Sequence, residues 1–224
     1  MVTVVASREL QADAAARRDA LADRLFQATL ATWDIATVYL GHRLGLYQAL
    51  SEVEPATSAE VAAAAGVDER YVREWLEQQV VTGVLACENP GAAAADRRFV
   101  IPEGHEAVLI DVDDANYLAP LPQIVVGAMH PLQALLGAFR TGAGVPYADY
   151  GIDLRLGQAG MNRNLFLQSL GNEYLPAIED LHDRLLADPP ARVADVGCGG
   201  GWSSRRSARR CWRRGARRSG RRSA

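Results

Sequence analysis

Apolar positions recur with a helical period through the first third of the chain. In LADRLFQATLATWDIATVYLGHRLGLYQAL, Leu21, Leu25, Phe26 and Leu30, then Ile35, Val38 and Tyr39, keep that period until Gly45, the expected stop. A helix this apolar is central to a domain or part of a subunit interface. In PATSAEVAAAAGVDERYVREWLEQQVVTGVLAC, Thr57 with Glu60 three residues on forms a capping box, each side chain satisfying a free N–H at a helix start. That short helix is expected to end at Gly66. Asp68 caps a second one carrying Val72, Trp75, Leu76 and Val80, which stops at Gly83. Two short helices joined by a glycine turn read as a helix-turn-helix. Val84 to Cys87, a polar loop, and Phe99 to Ile101 supply a two-stranded wing.

The expected organisation is an N-terminal extension over 1–19, a winged helix over 20–110, a helical linker and pocket region over 111–190, and a glycine-loop segment over 191–203. An arginine-rich tail, expected to be disordered, follows over 204–224. The fold class is therefore mainly α, with a single strand and its glycine loop opening an α/β domain. In the linker, Tyr147 and Tyr150 stand among glycines in RTGAGVPYADYG, where aromatics often face a pocket; they are candidate substrate-pocket residues. Pro176 is expected to start a last helix, with Ile178, Leu181 and Leu185, that Pro189 and Pro190 end. From Ala115 to Phe139 no residue is formally charged, but Pro120, Pro122 and Pro131 interrupt the stretch, which argues for buried helices and against a membrane span.

Charge changes the reading of the winged helix. A helix that enters a groove lined by phosphates carries excess Arg or Lys. Here the second helix sets Arg70 and Arg73 against Asp68, Glu69, Glu74 and Glu77, a balance of −2. Dimerisation into a homodimer is the expected role. A nucleic-acid-binding regulator using the winged helix and a basic tail is the alternative. The overall charge of −3 divides unevenly: residues 204–224 hold ten arginines and no acid. Three scattered cysteines and four scattered histidines suggest neither a disulfide framework nor a metal site. The N-terminus has no apolar signal core and carries acids, so the cytoplasm is the expected compartment.

The chemistry is concentrated in ARVADVGCGGGW. An apolar run, Val193 to Val196, is expected to form a strand feeding Gly197, Gly199, Gly200 and Gly201, a turn that lets a ligand approach the backbone. A phosphate-binding loop would need Gly-Lys-Ser/Thr, and the chain has no lysine. The dinucleotide pattern wants a glycine where Trp202 stands. What remains is an acid before Gly-x-Gly-x-Gly.

With GLYQAL, DERYVREWLEQQV, GVPYADYG and ADPPARVADVGCGGGW, the chain resembles class I S-adenosylmethionine-dependent methyltransferases of the bacterial subfamily with an N-terminal winged helix. The resemblance covers about residues 20 to 203. It implies an S-adenosylmethionine cofactor, a small-molecule methyl acceptor, and a cofactor site at Asp195, Gly197, Cys198, Gly199, Gly200 and Gly201. The segment MNRNLFLQSL resembles the helix that related O-methyltransferases lay over the cofactor, which adds Asn162 and Ser169. No catalytic base is implied; His182 is a candidate by residue type alone. After Ser203 the pattern stops, and no acid follows Asp195 to hold ribose hydroxyls. The expectation is truncation or a shifted reading frame near that point, and little activity from this chain alone.

Overall fold

In the computed structural model, residues 2–189 and 191–205 are described, and Pro190 and the arginine-rich segment from residue 206 lie outside them. The fold is mainly helical, and its one sheet among the described residues has two strands.

Helix α1 (Val2–Leu44) is about 65 Å long at 1.5 Å per residue. It shows no break at residues 19–20, so the expected extension continues the same helix. The cause is composition: QADAAARRDALADRL is rich in Ala, Leu and Arg, strong helix formers even without an apolar stripe. Gly45 stops the helix in the left-handed region (φ 68°), and α2 (Leu46–Val53) turns back, burying Leu46, Tyr47, Ala49 and Leu50. Next comes α3 (Ser58–Ala65), opened by the capping box of Thr57 and Glu60 and closed at Gly66. Asp68 then accepts from the Arg70 N–H to open α4 (Glu69–Val81).

Strand β1 (Ala86–Cys87) pairs antiparallel with β2 (Phe99–Val100), Ala86 facing Val100 and Cys87 facing Phe99. Phe99 also exchanges both backbone hydrogen bonds with Ala56, so the wing is tied to the approach to α3. Leu50, Val61, Val72, Leu76 and Phe99 form the centre of the core, each side chain worth about 1.5–3 kcal/mol when fully buried. Gln79 is also fully buried, and its polar atoms are satisfied: it accepts from the Tyr47 hydroxyl and donates to Thr37 Oγ1 of α1 at 3.1 Å. Burial raises the Tyr47 phenol well above its usual range, so it remains a donor.

The second half comprises α5 (His105–Leu109), α6 (Leu121–Met129), α7 (Leu132–Thr141) and α8 (Gly151–Asn164); it packs on α1 through α6 and is bonded to it through Asp153 of α8. Helices α6 and α8 touch backbone to backbone, because Gly127, Gly157 and Gly160 leave room where any Cβ would collide. Where they meet α1, Asp153 of α8 accepts from Tyr39 Oη at 2.9 Å and Gln123 Nε2 at 2.8 Å, with Arg43 Nε at 3.3 Å. His42, beside this cluster, is held below the usual histidine range, first by desolvation and then by the Arg43 charge, against a bond to Gln123. Among the described residues no helix is long and apolar enough to cross a membrane.

A π-helical segment (Leu165–Tyr174) continues α8 without a break, and α9 (Glu179–Leu186) closes the helical part. Helix α9 begins three residues after Pro176, later than expected. Residues 191–196 differ from expectation more sharply: they pair with no strand. A parallel strand exists only through hydrogen bonds to its neighbours, and no described segment supplies one. Val193 is 59% exposed and Val196 is 95% exposed.

Candidate functional site

The glycine loop takes its shape from three left-handed residues, Gly197 (φ 75°), Gly199 (φ 54°) and Gly201 (φ 73°). Only glycine adopts that region without a Cβ penalty, so the alternation x-Gly-x-Gly-x-Gly is a backbone requirement. Gly200 is needed for a different reason: a Cβ there would stand 2.9 Å from the Ala159 Cβ of α8. The turn closes with the Gly201 N–H donating to the Cys198 carbonyl at 2.9 Å. A helical turn follows over 202–205, its first bond from Arg205 N–H to Gly201 O at 3.1 Å.

Asp195 precedes the loop and accepts through Oδ2 from the hydroxyls of Ser203 and, at 2.8 Å, Ser204. These bonds, Ser203 first, hold its carboxyl below the usual carboxylate range. The carboxylate is therefore ionised at neutral pH, and among the described residues its bonds are to Oδ2.

Loop and helices enclose an open cleft of about 1240 Å³. One wall is the α8 face carrying Ile152, Leu156, Ala159 and Asn162, spaced by three or four residues. The π-helical segment adds Phe166 and Leu170, and α9 adds Leu181 and Leu185. The floor is 193–200. The lining is mostly apolar, with Arg155, Gln158, Asn162 and Asp195 as its main polar groups.

Of the residues expected at a cofactor site, Asp195, Gly197, Cys198, Gly199, Gly200 and Asn162 all line this cleft. Gly201 does not line it and acts through its conformation. Ser169 is turned away from it, donating instead to Glu173 Oε1 at 3.5 Å. Tyr147 reaches the cleft rim; Tyr150 does not, and its ring lies against Tyr147 with centroids 6.4 Å apart. His182 is also outside the lining. The sequence reading missed Trp202, Ser203 and Ser204. Two serines at the start of the turn after a glycine loop were an available signal, because hydroxyls there can reach back to the acid before the loop. No group of His, Cys, Asp and Glu among the described residues is placed to hold a metal ion.

The surface of α4 and the wing carries matched charges. Arg70 pairs with Glu74 at 3.0 Å, Arg73 with Glu69 at 3.4 Å, Arg97 with Glu77 at 2.5 Å and Arg98 with Glu60 at 3.7 Å. Each guanidinium that could meet a phosphate already has an acid beside it, which weighs against groove binding.

Residues 34–111 match the family model of the Rv2258c-like winged helix-turn-helix domain. Two solved structures share the fold at 18% identity. The mitomycin 7-O-methyltransferase MmcR superposes with a TM-score of 0.50, covering 70% of this chain and 47% of that one. Human N-acetylserotonin methyltransferase, solved in complex with S-adenosylmethionine, gives 0.51, with coverages of 70% and 49%. The chain thus spans about half the length of either structure. No curated protein matches it. The fold is thus mainly helical, with a winged-helix domain, and it partly matches the folds of these two methyltransferases.

Proposed function

We propose that this chain is the winged-helix and cofactor-loop portion of an S-adenosylmethionine-dependent methyltransferase acting on a small molecule. The observation that carries the reading is the acid-glycine turn: Asp195 ionised, three left-handed glycines behind it, and an apolar cleft in front. The residues present fit the methionine end of the cofactor. The ammonium would pair with the Asp195 carboxylate, and the bare backbone at Gly197 and Gly199 admits close approach of the rest. When bound, the cofactor supplies an electrophilic methyl group on a sulfonium. The chain's own contribution is positioning, since methyl displacement gains most from holding two reactants in line. Ile152, Leu156 and Phe166 would hold an apolar acceptor body and exclude water, with Tyr147 at the rim and Asn162 facing the loop.

The test is calorimetric titration of the chain with S-adenosylmethionine. Saturable binding is expected, and Gly199→Val, which forces a β-branched residue into the left-handed region, is expected to weaken it at least about tenfold. Absence of saturable binding to the wild type, or equal binding to Gly199→Val, would overturn the reading.

The same proposal includes a homodimer. Phe26, Leu30 and Trp33 lie on one face of α1, and the first and last are 60% and 66% exposed. This face continues the one whose Thr37 and Gly41 meet α4 and α2. In proteins most helical stability comes from tertiary packing of an apolar face, and a second copy offers matching cover. Sedimentation is expected to give a dimer that Phe26→Glu with Trp33→Glu converts to monomer; a monomeric wild type contradicts the proposal.

A further inference from the structure

The glycine loop is fastened to α8 by a side chain that its sequence pattern does not call for. Trp202 Nε1 donates to the carbonyl of Ala159 at 2.8 Å. That carbonyl is also the helical acceptor for the N–H of residue 163. The Arg163 guanidinium lies over the same indole, 5.6 Å from the ring centroid, and Arg205 lies 5.0 Å from it. Arg163 is itself held, donating at 2.6 Å to both the Val112 carbonyl and Asp113 Oδ1, in the segment that leaves the winged helix. The indole thus joins three parts of the chain: the loop, α8, and the exit from the winged helix.

A tryptophan that served only as core would be enclosed by aliphatic side chains. Trp202 is half-buried, its polar atom spent on a backbone carbonyl and guanidinium groups over its ring. Gly200 brings the loop backbone against Ala159 at the same point, where no Cβ fits. Directly after Trp202, Ser203 and Ser204 hold Asp195. Moving Trp202 would therefore move the glycine turn and the acid together.

We infer that Trp202 is a positioning residue: through Ala159 and Arg163 it fixes the glycine loop and Asp195 in the geometry that receives the ligand's amino-acid end. The affinity consequence rests on the cofactor reading above; the anchoring itself does not.

The full chain, with Trp202→Phe and Trp202→Leu, is compared in two measurements. Hydrogen exchange over 197–205, without ligand, reads the anchor through the bonded amides of Gly201 and Arg205. Titration with S-adenosylmethionine reads the consequence. Trp202→Leu is expected to speed exchange in this segment on the order of tenfold and to weaken binding by about as much, with exchange in α3 and α4 unchanged. Trp202→Phe keeps the ring for the guanidinium groups but lacks the N–H, and is expected to fall between. Unchanged loop exchange in Trp202→Leu overturns the anchor. A loosened loop with undiminished affinity overturns the positioning role. If the wild type binds no S-adenosylmethionine yet the loop loosens in Trp202→Leu, the anchor stands and the cofactor reading fails.

Discussion

Gly127→Ala is expected to destabilise the protein by about 3 kcal/mol, the upper end of the usual range for overpacking. The added Cβ would stand 2.2 Å from the Leu154 N and 2.7 Å from its Cα, and neither is a flexible side-chain end that could swing aside. Helix α6 must then move away from α8. The same crossing is closed at Gly157, where a Cβ would meet the Ile124 N at 2.8 Å, and at Gly160 against Pro120. Three contacts in register mean the helices separate along their length rather than pivot locally. Because α8 is the wall of the cleft and the anchor of the glycine loop, the variant should also lose affinity for any cleft ligand. Thermal and urea unfolding followed by circular dichroism measure the first effect. An unfolding midpoint equal to that of the wild type would show that the close approach is not needed.

The parts of this fold that were legible in the sequence are those set by chemistry within a few residues. Thr57 and Glu60, three apart, wrote the start of α3, and Asp68 that of α4. Gly45 and Gly66 ended helices in the left-handed region because no Cβ opposes it there. The acid and alternating glycines of the loop are equally local, which is why Asp195, Gly197 and Gly199 could be singled out together. What escaped depends on partners distant in sequence. Trp202 reads as a mismatch to a glycine pattern until Ala159 and Arg163, some forty residues earlier, are brought to it. Ser169 reads as a pocket residue by resemblance, but the π-helical winding sets it against Glu173. Residues 193–196 have strand composition, yet composition cannot provide the neighbouring strands that make a sheet.

Those valines also bear on what the cleft is. A strand with apolar residues on both faces is the pattern of a parallel sheet covered on both sides. Val196 at 95% exposure is the reverse of that arrangement. The cleft exceeds the roughly 300–1,000 Å³ typical of small-molecule sites. Val193 and Val196 also line it, so the segment that pairs with no strand supplies part of its apolar surface.

Asp153→Ala is the second substitution with a large expected cost, about 3 kcal/mol. It removes the acceptor of the Tyr39 hydroxyl and of the Gln123 amide, the latter only 3% exposed and left with a donor that water reaches poorly. The Arg43 guanidinium loses its partner at little further cost, because it is exposed and water takes the place of the carboxylate. Asp153→Asn keeps an acceptor oxygen and loses the charge, so about half that cost is expected. The two variants separate hydrogen bonding from charge, and pH provides an independent check. Desolvation alone would raise the Asp153 carboxyl, but bonds from Gln123 and Tyr39 and the charges of Arg43 and His130 outweigh it and hold it below its ordinary value. The ionised form is thus favoured by folding. Its contribution is fully present above the unfolded pKa of about 4, and is lost as pH falls through the lower folded value. The stability difference between wild type and Asp153→Asn should accordingly be constant above about pH 5 and shrink as pH drops toward 3. Because Tyr39 and Arg43 lie on α1, Gln123 on α6 and Asp153 on α8, this junction ties the winged helix to the cleft wall. Loss of the junction with an intact α3–α4 core should therefore appear as two unfolding transitions where the wild type shows one.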